Sequence, residues 1–573
     1  MSKQPIPRHI AHPATRDLPY SFRELVTGWI VHSRKEITIG KGRKAAVAQE
    51  MNLVEPPAYP GISTSHAEVT SAELAGSLDS DGREKPEDES QNKWWAIAVT
   101  GTGLFSDGYV NSSIGLASTM LAKIYGDQYS KSQAISYITS ISFAGTVLGQ
   151  LSFGYFADRY GRRGSMLVGT LLLIFFTIMT AGAWGVGTSD TNPGGLFEAL
   201  AVYRFFVGIA IGSEYSTASP AAAEASNAMP VGKRNRYFCL FTNAMIDLGI
   251  VLASVVPWVL VNIASERRLT LVWRLTLGLG AVPPLLLFYM RTKYRECEEF
   301  RKMRFRNTAP YWRVIKFYWF RLSVISLVWF FYDVSSYSFG TYSSYVVYTI
   351  TGDNASFAVI FAWNILLNCF YMPGAFLGAI FADYLGPRLT LSLGVGLQTI
   401  IGFLMTVFLD GLKKQIAAFV VILGIFLTLG EFGPGDNLGL LASKTVAAPI
   451  RGQFYGVAAA VGKVGAFAGA YAFPKLMESA GGRETTRGLQ APFWVSSALC
   501  LVSTILTLVF VPPVHQEAVS EEDIKFLEYL ESTGYDMTTM GEITVNDSES
   551  VFISDTQSAS RTAEKKEPVT HVT

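Results

Sequence analysis

The chain has 573 residues, 49% hydrophobic and only 16% charged, with 52 glycines and a mean hydropathy of +0.27, an apolar excess that excludes an ordinary soluble enzyme and calls for lipid. Its 47 basic and 46 acidic residues nearly cancel, so no basic character points to nucleic acid. Four cysteines, Cys239, Cys297, Cys369 and Cys500, lack metal-ligand spacing and read as free thiols.

Residues 1–92 hold Pro, Ser and Glu without sustained periodicity, with an acidic run from Glu84 to Glu89 broken by Lys85 and Pro86, and read as a disordered tail. The stretch Phe22–Val31 is too short to span a membrane. No basic n-region with an apolar h-region opens the chain, so the first span is expected to act as the insertion signal.

From Trp94 onward, apolar stretches able to cross a bilayer core of about 30 Å recur. Twelve are placed, at residues 94–120, 133–157, 165–188, 198–224, 237–263, 271–291, 318–349, 355–381, 389–410, 415–443, 453–478 and 491–512. Lys and Arg set the orientation, because they are retained on the cytoplasmic side. Arg159, Arg162 and Arg163 follow span two; Lys233, Arg234 and Arg236 follow span four. The connector after span six holds Lys293, Arg295, Arg301, Lys302, Arg304, Arg306, Arg313 and Lys316. The opposite loops carry only scattered charges such as Lys123, Lys131, Arg267 and Arg268.

The expected organisation is therefore a cytoplasmic N-terminal tail (1–92), a six-helix half (93–291), a basic cytoplasmic connector (292–317), a second six-helix half (318–512) and a cytoplasmic C-terminal tail (513–573). A short amphipathic helix around Ile524–Leu530 is expected in that last tail as a surface feature.

The two halves look duplicated. Phe156-Ala157-Asp158-Arg159-Tyr160-Gly161-Arg162-Arg163 after span two matches Phe381-Ala382-Asp383-Tyr384-Leu385-Gly386-Pro387-Arg388 after span eight. At nearly the same offset Asp107 corresponds to Asp333, and Arg236 to Arg451. A repeat of this kind places the substrate site between the halves, near the bilayer midplane.

The Gly154-x-x-x-Asp158-Arg159-x-Gly161-Arg162-Arg163 run, with its weaker second copy, resembles the signature loop of the major facilitator superfamily over about residues 94–512. The resemblance implies an all-α membrane protein of twelve transmembrane helices in two pseudo-symmetric halves. It also implies that Gly154, Asp158, Arg159, Gly161, Arg162, Arg163, Asp383 and Arg388 hold or gate the two conformations without touching substrate.

A charged side chain at the bilayer centre costs several kcal/mol, so those found there face the bundle interior and have a partner or a role. Asp107, Arg204, Glu214, Asp247, Asp333, Glu431, Asp436 and Lys463 fall inside the expected spans, whereas all six histidines lie outside them. If protons drive transport, carboxylates must carry them. Arg204 is either a structural partner of Asp107 or part of the proton route, with Gly208 and Gly212 permitting close helix approach. Glu214, beside the Tyr215 hydroxyl, reads as a proton carrier. Trp329, Asp333 and Tyr337, at i, i+4 and i+8, share one face of span seven. Lys463, flanked by Gly462 and Gly465, reads as an anion ligand; the alternative is a permanent salt bridge to Asp247, its pseudo-symmetric counterpart.

Trp329-x-x-x-Asp333-x-x-x-Tyr337, Glu214-Tyr215, Phe432-Gly433-Pro434 and Gly462-Lys463-Val464-Gly465-Ala466 together resemble the phosphate:proton symporter family. That resemblance implies that Trp329, Asp333, Tyr337 and Lys463 contact phosphate and that Asp107 serves the proton route; Tyr215, Asp247 and Asn437 are further residues expected to bind substrate. Three departures stand out: Ser213-Glu214-Tyr215 replaces Gly-Asp-Tyr, the span-five Gln is lost near Ile246 and Asp247, and Gly435 stands where an Asn is expected after Gly-Pro. Losing two polar groups weakens a cage for inorganic phosphate and is expected to leave room for a substituent. Gly-Pro-Gly-Asp-Asn and Glu214-Tyr215 are similar to the fungal glycerophosphoinositol and glycerophosphodiester permeases, whereas Ser216-Thr217-Ala218-Ser219-Pro220 departs from them.

The function expected is proton-coupled import of an anionic phosphate ester by a monomer in the plasma membrane, with an inorganic phosphate symporter, a carrier of another organic anion and a transporter-like nutrient sensor as alternatives. No cofactor, catalytic residue or metal is expected. Asn111-Ser112-Ser113 and Asn354-Ala355-Ser356 match the glycosylation pattern, the first inside a span and the second in a very short loop.

Overall fold

A computed structural model of the chain describes residues 7–18, 86–130, 134–189, 192–230, 232–351, 356–412, 414–482, 485–514 and 518–541. Most of the expected N-terminal tail, including the 22–31 stretch, His32 and His66, lies outside the described residues, as do Lys131, Asn354, His515 and His571. Among the described residues there are helices and no strand, with one isolated bridge between Phe305 and Met540.

The long helices are α1 (Pro86–Tyr125), α2 (Ala134–Tyr160) and α3 (Arg162–Ala181), then α4 (Leu196–Asn227), α5 (Arg234–Ala264) and α6 (Glu266–Thr292). The second half has α7 (Tyr311–Thr351), α8 (Phe357–Tyr384), α9 (Pro387–Val407), α10 (Ala417–Lys444), α11 (Ala448–Ser479) and α12 (Thr486–Phe510), followed by α13 (Ala518–Ser532). Among the described residues ten helices, α3 to α12, are long and apolar enough to cross a membrane. The remaining pair, α1 and α2, have 40 and 27 residues. At 1.5 Å per residue α1 runs for about 60 Å, well beyond a bilayer core, and α7, its counterpart in the repeat, has 41 residues.

The third expected span overruns its helix. Apolarity continues through Trp184 and Val186, but α3 stops at Ala181 because Arg274 of α6 donates to the carbonyls of Ala181 and Ala183 at 2.9 and 2.8 Å. Those bonds satisfy carbonyls that a longer helix would have used.

Small residues set the close packing. A Cβ at Gly208 or Gly212 of α4 would overlap the backbone carbonyls of Ser142 and Thr146 on α2, so the expected seam is present and needs glycine. Between the halves, α2 lies against α11 and α5 against α8. Two helices are interrupted at one level: α5 breaks at Thr242 (φ −111°, ψ −80°), and α10 widens into a π turn at Glu431–Gly435 around Pro434, which has no N–H to donate. Across that gap Asn243 Nδ2 donates to Glu431 Oε2 at 2.9 Å.

Two expectations about the tails are corrected. The helix near Ile524–Leu530 is longer and is no surface feature: Phe526 and Leu530 are fully buried. In the N-terminal tail, residues 7–18 include a short helix, Arg8–Ala11, and a buried Arg16. Both depart from expectation because charge suppresses hydropathy there, while the structure uses the same charges as ion-pair partners.

Candidate functional site

Helical spacing stacks Trp329, Asp333 and Tyr337 on one side of α7, and Lys463 of α11 meets that side. A Cβ at Gly462 would overlap the Trp329 ring, and one at Gly465 the Phe330 carbonyl. Glycines on either side of the lysine are therefore what let α11 lie this close to α7. Lys463 Nζ sits 3.3 Å from Asp333 Oδ2 and donates to the Tyr337 hydroxyl. Its ammonium also lies 4.0 Å from the Tyr337 ring centroid and 5.2 Å from that of Tyr215, which comes from α4 in the other half. Such contacts suit a cation removed from water.

Trp329 packs edge-on to Tyr455 at 5.6 Å, and Phe143 of α2 edge-on to Tyr337 at 5.2 Å. From α1, Asp107 accepts from Asn111 at 2.6 Å and lies within electrostatic reach of Tyr215 and Lys463. Lys463, Asp333 and Asp107 are 3%, 2% and 1% exposed, so the ammonium depends on its partners. Asp107, Tyr215, Trp329, Asp333, Tyr337 and Lys463 thus converge on one inter-half cluster. In it the Asp333 carboxylate holds the Lys463 ammonium.

Other expected site residues lie elsewhere. Lys463 pairs with Asp333, which removes the proposed bridge to Asp247. Asp247 is buried, with its Oδ2 unpaired, and its charged neighbours are Glu431 and Asp436. Arg204 donates to the Val110 carbonyl and the Ser142 hydroxyl, both at 3.2 Å, in place of the expected Asp107 pair. Glu214 is gripped by Arg291 of α6 through two bonds of 2.5 Å, and Arg291 also reaches Thr170 at 2.6 Å. Both carboxylate oxygens of Glu214 are thus taken up by one guanidinium in a bidentate buried pair. Asn437 turns back on its own helix, donating to the carbonyls of Phe432 and Gly433. The space expected at Gly435 is filled: a Cβ there would overlap the Glu431 carboxylate held by Asn243.

The signature loop and its repeat join the halves at the basic face. Asp158 accepts from the Gly452 and Gln453 N–H groups at 2.9 and 2.7 Å, capping the start of α11, and from Arg162 at 2.6 Å. Arg162 and Arg451 share Glu224, at 3.2 and 3.0 Å. A Cβ at Gly154 would meet the Gly452 carbonyl, so α2 and α11 touch through their backbones. Arg159 donates to the carbonyls of Arg306 and Asn307 in the connector, and the Arg163 N–H to Glu296 at 3.0 Å. Gly161 (φ 113°) and Gly386 (φ 86°) each stand immediately before the next helix, at a φ that other residues seldom adopt.

In the second copy Asp383 meets Arg236 of the first half at 3.5 Å, and Arg388 is buried at the start of α9. Glu224 and Arg291 escape sequence reasoning. Both are charges at the ends of apolar spans, and that position was the available signal.

The family model described as "Sugar (and other) transporter" matches residues 95–304 and 295–526. The chain is 48% identical over 535 residues to the major glycerophosphoinositol permease GIT3 of Candida albicans, covering 92% of this chain and 94% of the relative. It is 49% identical over 534 residues to that organism's glycerophosphocholine permease GIT4, with the same coverage. Among solved structures, the proton:xylose symporter XylE superposes with a TM-score of 0.63 at 16% identity, covering 77% of this chain and 99% of that one.

Proposed function

The chain belongs to the sugar-and-other-transporter family of the major facilitator superfamily and is a transporter, not an enzyme; on that premise we propose that it is a proton-coupled importer of an anionic glycerophosphodiester such as glycerophosphoinositol or glycerophosphocholine. The observation that carries the reading is the buried Lys463–Asp333 pair with Tyr337 and Tyr215. Kinship to two permeases at nearly half identity supports the substrate class.

Lys463 is the anion ligand, and Asp333 is its stand-in while the site is empty. A phosphodiester reaching Lys463 meets the Asp333 carboxylate, so protonating Asp333, with Asp107 beside it, removes the repulsion and frees the ammonium. The proton arrives with the substrate and leaves with it when the halves rock. A monoanion entering a negative-inside cell works against about 2.3 kcal/mol per 100 mV. One proton cancels that cost, and a second lets the potential assist. Glu214 and Arg204 are not in this proton set, because their side chains are committed to Arg291 and to Val110 and Ser142. In this reading the basic face is cytoplasmic, both ends of the chain lie inside, and the protein works as a monomer in the plasma membrane.

The test is uptake into proteoliposomes under an imposed proton gradient, with glycerophosphoinositol, glycerophosphocholine and inorganic phosphate compared. Ester uptake that resists moderate phosphate is expected. Uptake of phosphate alone would replace this reading with the inorganic symporter. Lys463→Ala, compared at equal amounts of reconstituted protein, should lose uptake by at least a hundredfold, the scale of a lost charge-assisted contact to a buried anion. Full uptake by that variant would remove Lys463 from the site.

A further inference from the structure

The ion-pair network at the basic face does not end at the signature loop. Arg451, which shares Glu224 with Arg162, also approaches Asp523 of α13 at 3.8 Å, and Asp523 accepts from the Ala448 N–H at 2.8 Å. The next residue back, Glu522, lies 3.1 Å from Arg321 near the start of α7 and is bonded by Arg16 from the N-terminal segment. Asp17 completes this group on Arg321.

Arg16 is held through both terminal nitrogens of its guanidinium. It donates to the carbonyls of Pro13 and Phe317 at 2.9 Å, and its guanidinium lies 3.8 Å from the Phe317 ring centroid. Burial alone would raise the Asp17 pKa, but Arg321 and Arg16 outweigh it and hold the carboxyl below its ordinary range. His9 adds a contact to Glu528 of α13 at 2.6 Å. On its far side the C-terminal tail pairs with the connector: the Gly541 N–H donates to the Arg304 carbonyl at 2.8 Å and the Arg306 N–H to the Thr539 carbonyl at 3.1 Å. That is the connector segment Arg159 grips from the first half.

A carrier that alternates must part α2 from α11 at this face, breaking the bonds from Gly452 and Gln453 to Asp158. Because the tail after α13 is paired to the connector that Arg159 of the first half grips, whatever fixes α13 beneath the start of α11 opposes that step. We propose that the N-terminal segment around Arg16 and Asp17 is a latch that clamps α13 against α7 and α11, and thereby sets how much of the time the gate at the basic face is shut. The two tails then regulate carrier turnover by their own contacts, whichever substrate is carried.

A native cysteine reports on this gate. Cys239 of α5 is fully buried between the halves, in a cluster with Ala222, Ala223, Ala379, Ala382 and Leu440. Cys500 is equally buried, but inside the second half beside Ser335. The experiment is maleimide labelling of the full-length protein in two single-cysteine backgrounds, one keeping Cys239 and one Cys500, without substrate. Arg16→Ala should label Cys239 about tenfold faster, the ratio matching loss of one buried charge-assisted bond. Glu522→Gln, which breaks the same contact from the other tail, should do likewise, with Cys500 labelling unchanged in both. A parental rate at Cys239 in the Arg16→Ala protein overturns the proposal, as does an equal rise at Cys500, which marks general loosening. Because no substrate enters the assay, its failure is separate from failure of the substrate reading.

Discussion

The signature motif occurs twice and closes the same face twice, with unequal strength. In the first copy the buried Asp158 takes two backbone N–H groups of α11 and the buried Arg162 guanidinium. In the second, Asp383, itself buried, accepts from the Arg236 backbone N–H at 3.4 Å and faces its guanidinium at 3.5 Å, and that Arg236 side chain is 24% exposed. The difference traces to one position, since the residue four after the aspartate is Arg162 in one copy and Pro387 in the other. An arginine at i+4 reaches back to the carboxylate, whereas proline has no group to offer and only starts α9. A motif match thus locates a junction between the halves, and its i+4 position grades it.

This asymmetry is open to attack, most strongly at its firm end. Asp158→Asn leaves Arg162 with one of its two carboxylate partners, Glu224, and weakens the cap on α11. Breaking one side of a buried pair costs about 3–5 kcal/mol, so Cys239 labelling should rise by more than a hundredfold. Asp383→Asn should change it less, by about tenfold, because its contacts to Arg236 are longer and that guanidinium is part-exposed. Equal responses would mean that the two copies share the load. A gain-of-function change comes next: Pro387→Arg supplies the missing i+4 partner and should slow Cys239 labelling two- to fivefold, a stabilisation of about 0.5–1 kcal/mol. No slowing would show that the α8–α9 corner has no space for that side chain.

The smallest effect concerns pH. Despite its burial, the Asp17 carboxyl is held below its ordinary value of 3.8 by Arg321 and Arg16. A depressed carboxylate contributes stability above its unfolded pKa and loses it as pH falls through the folded one. The labelling difference between the parent and Asp17→Asn should therefore stay constant from pH 5 to 8 and close only below about pH 4. A difference that vanishes near neutrality would assign it to another group.

Much of the central cluster was legible because it is helical arithmetic. Trp329, Asp333 and Tyr337 at i, i+4 and i+8 must share a face, and Lys463 between glycines had to be accessible to a neighbour. The partner of Glu214 was not legible: Arg291 is 77 residues away and is brought in by the packing of α6 on α4. Arg204 escaped for a different reason, since the Val110 carbonyl it bonds is a backbone group that every residue type carries. Gly435 misled because its missing side chain was read as free space, whereas Glu431 from the preceding turn fills it.

By itself, the sequence determined the apolar helices, their duplication, the two motif copies and the small set of ionisable groups at membrane depth. Composition and short-range spacing encode these, and lipid penalises every alternative. Only the tertiary structure decided which charges neutralise which: Lys463 with Asp333, Glu214 with Arg291, Glu224 between Arg162 and Arg451, Arg16 with Glu522. A buried ion takes the partner that folding sets within hydrogen-bond reach, and for Arg16 that partner lies 506 residues further along the chain.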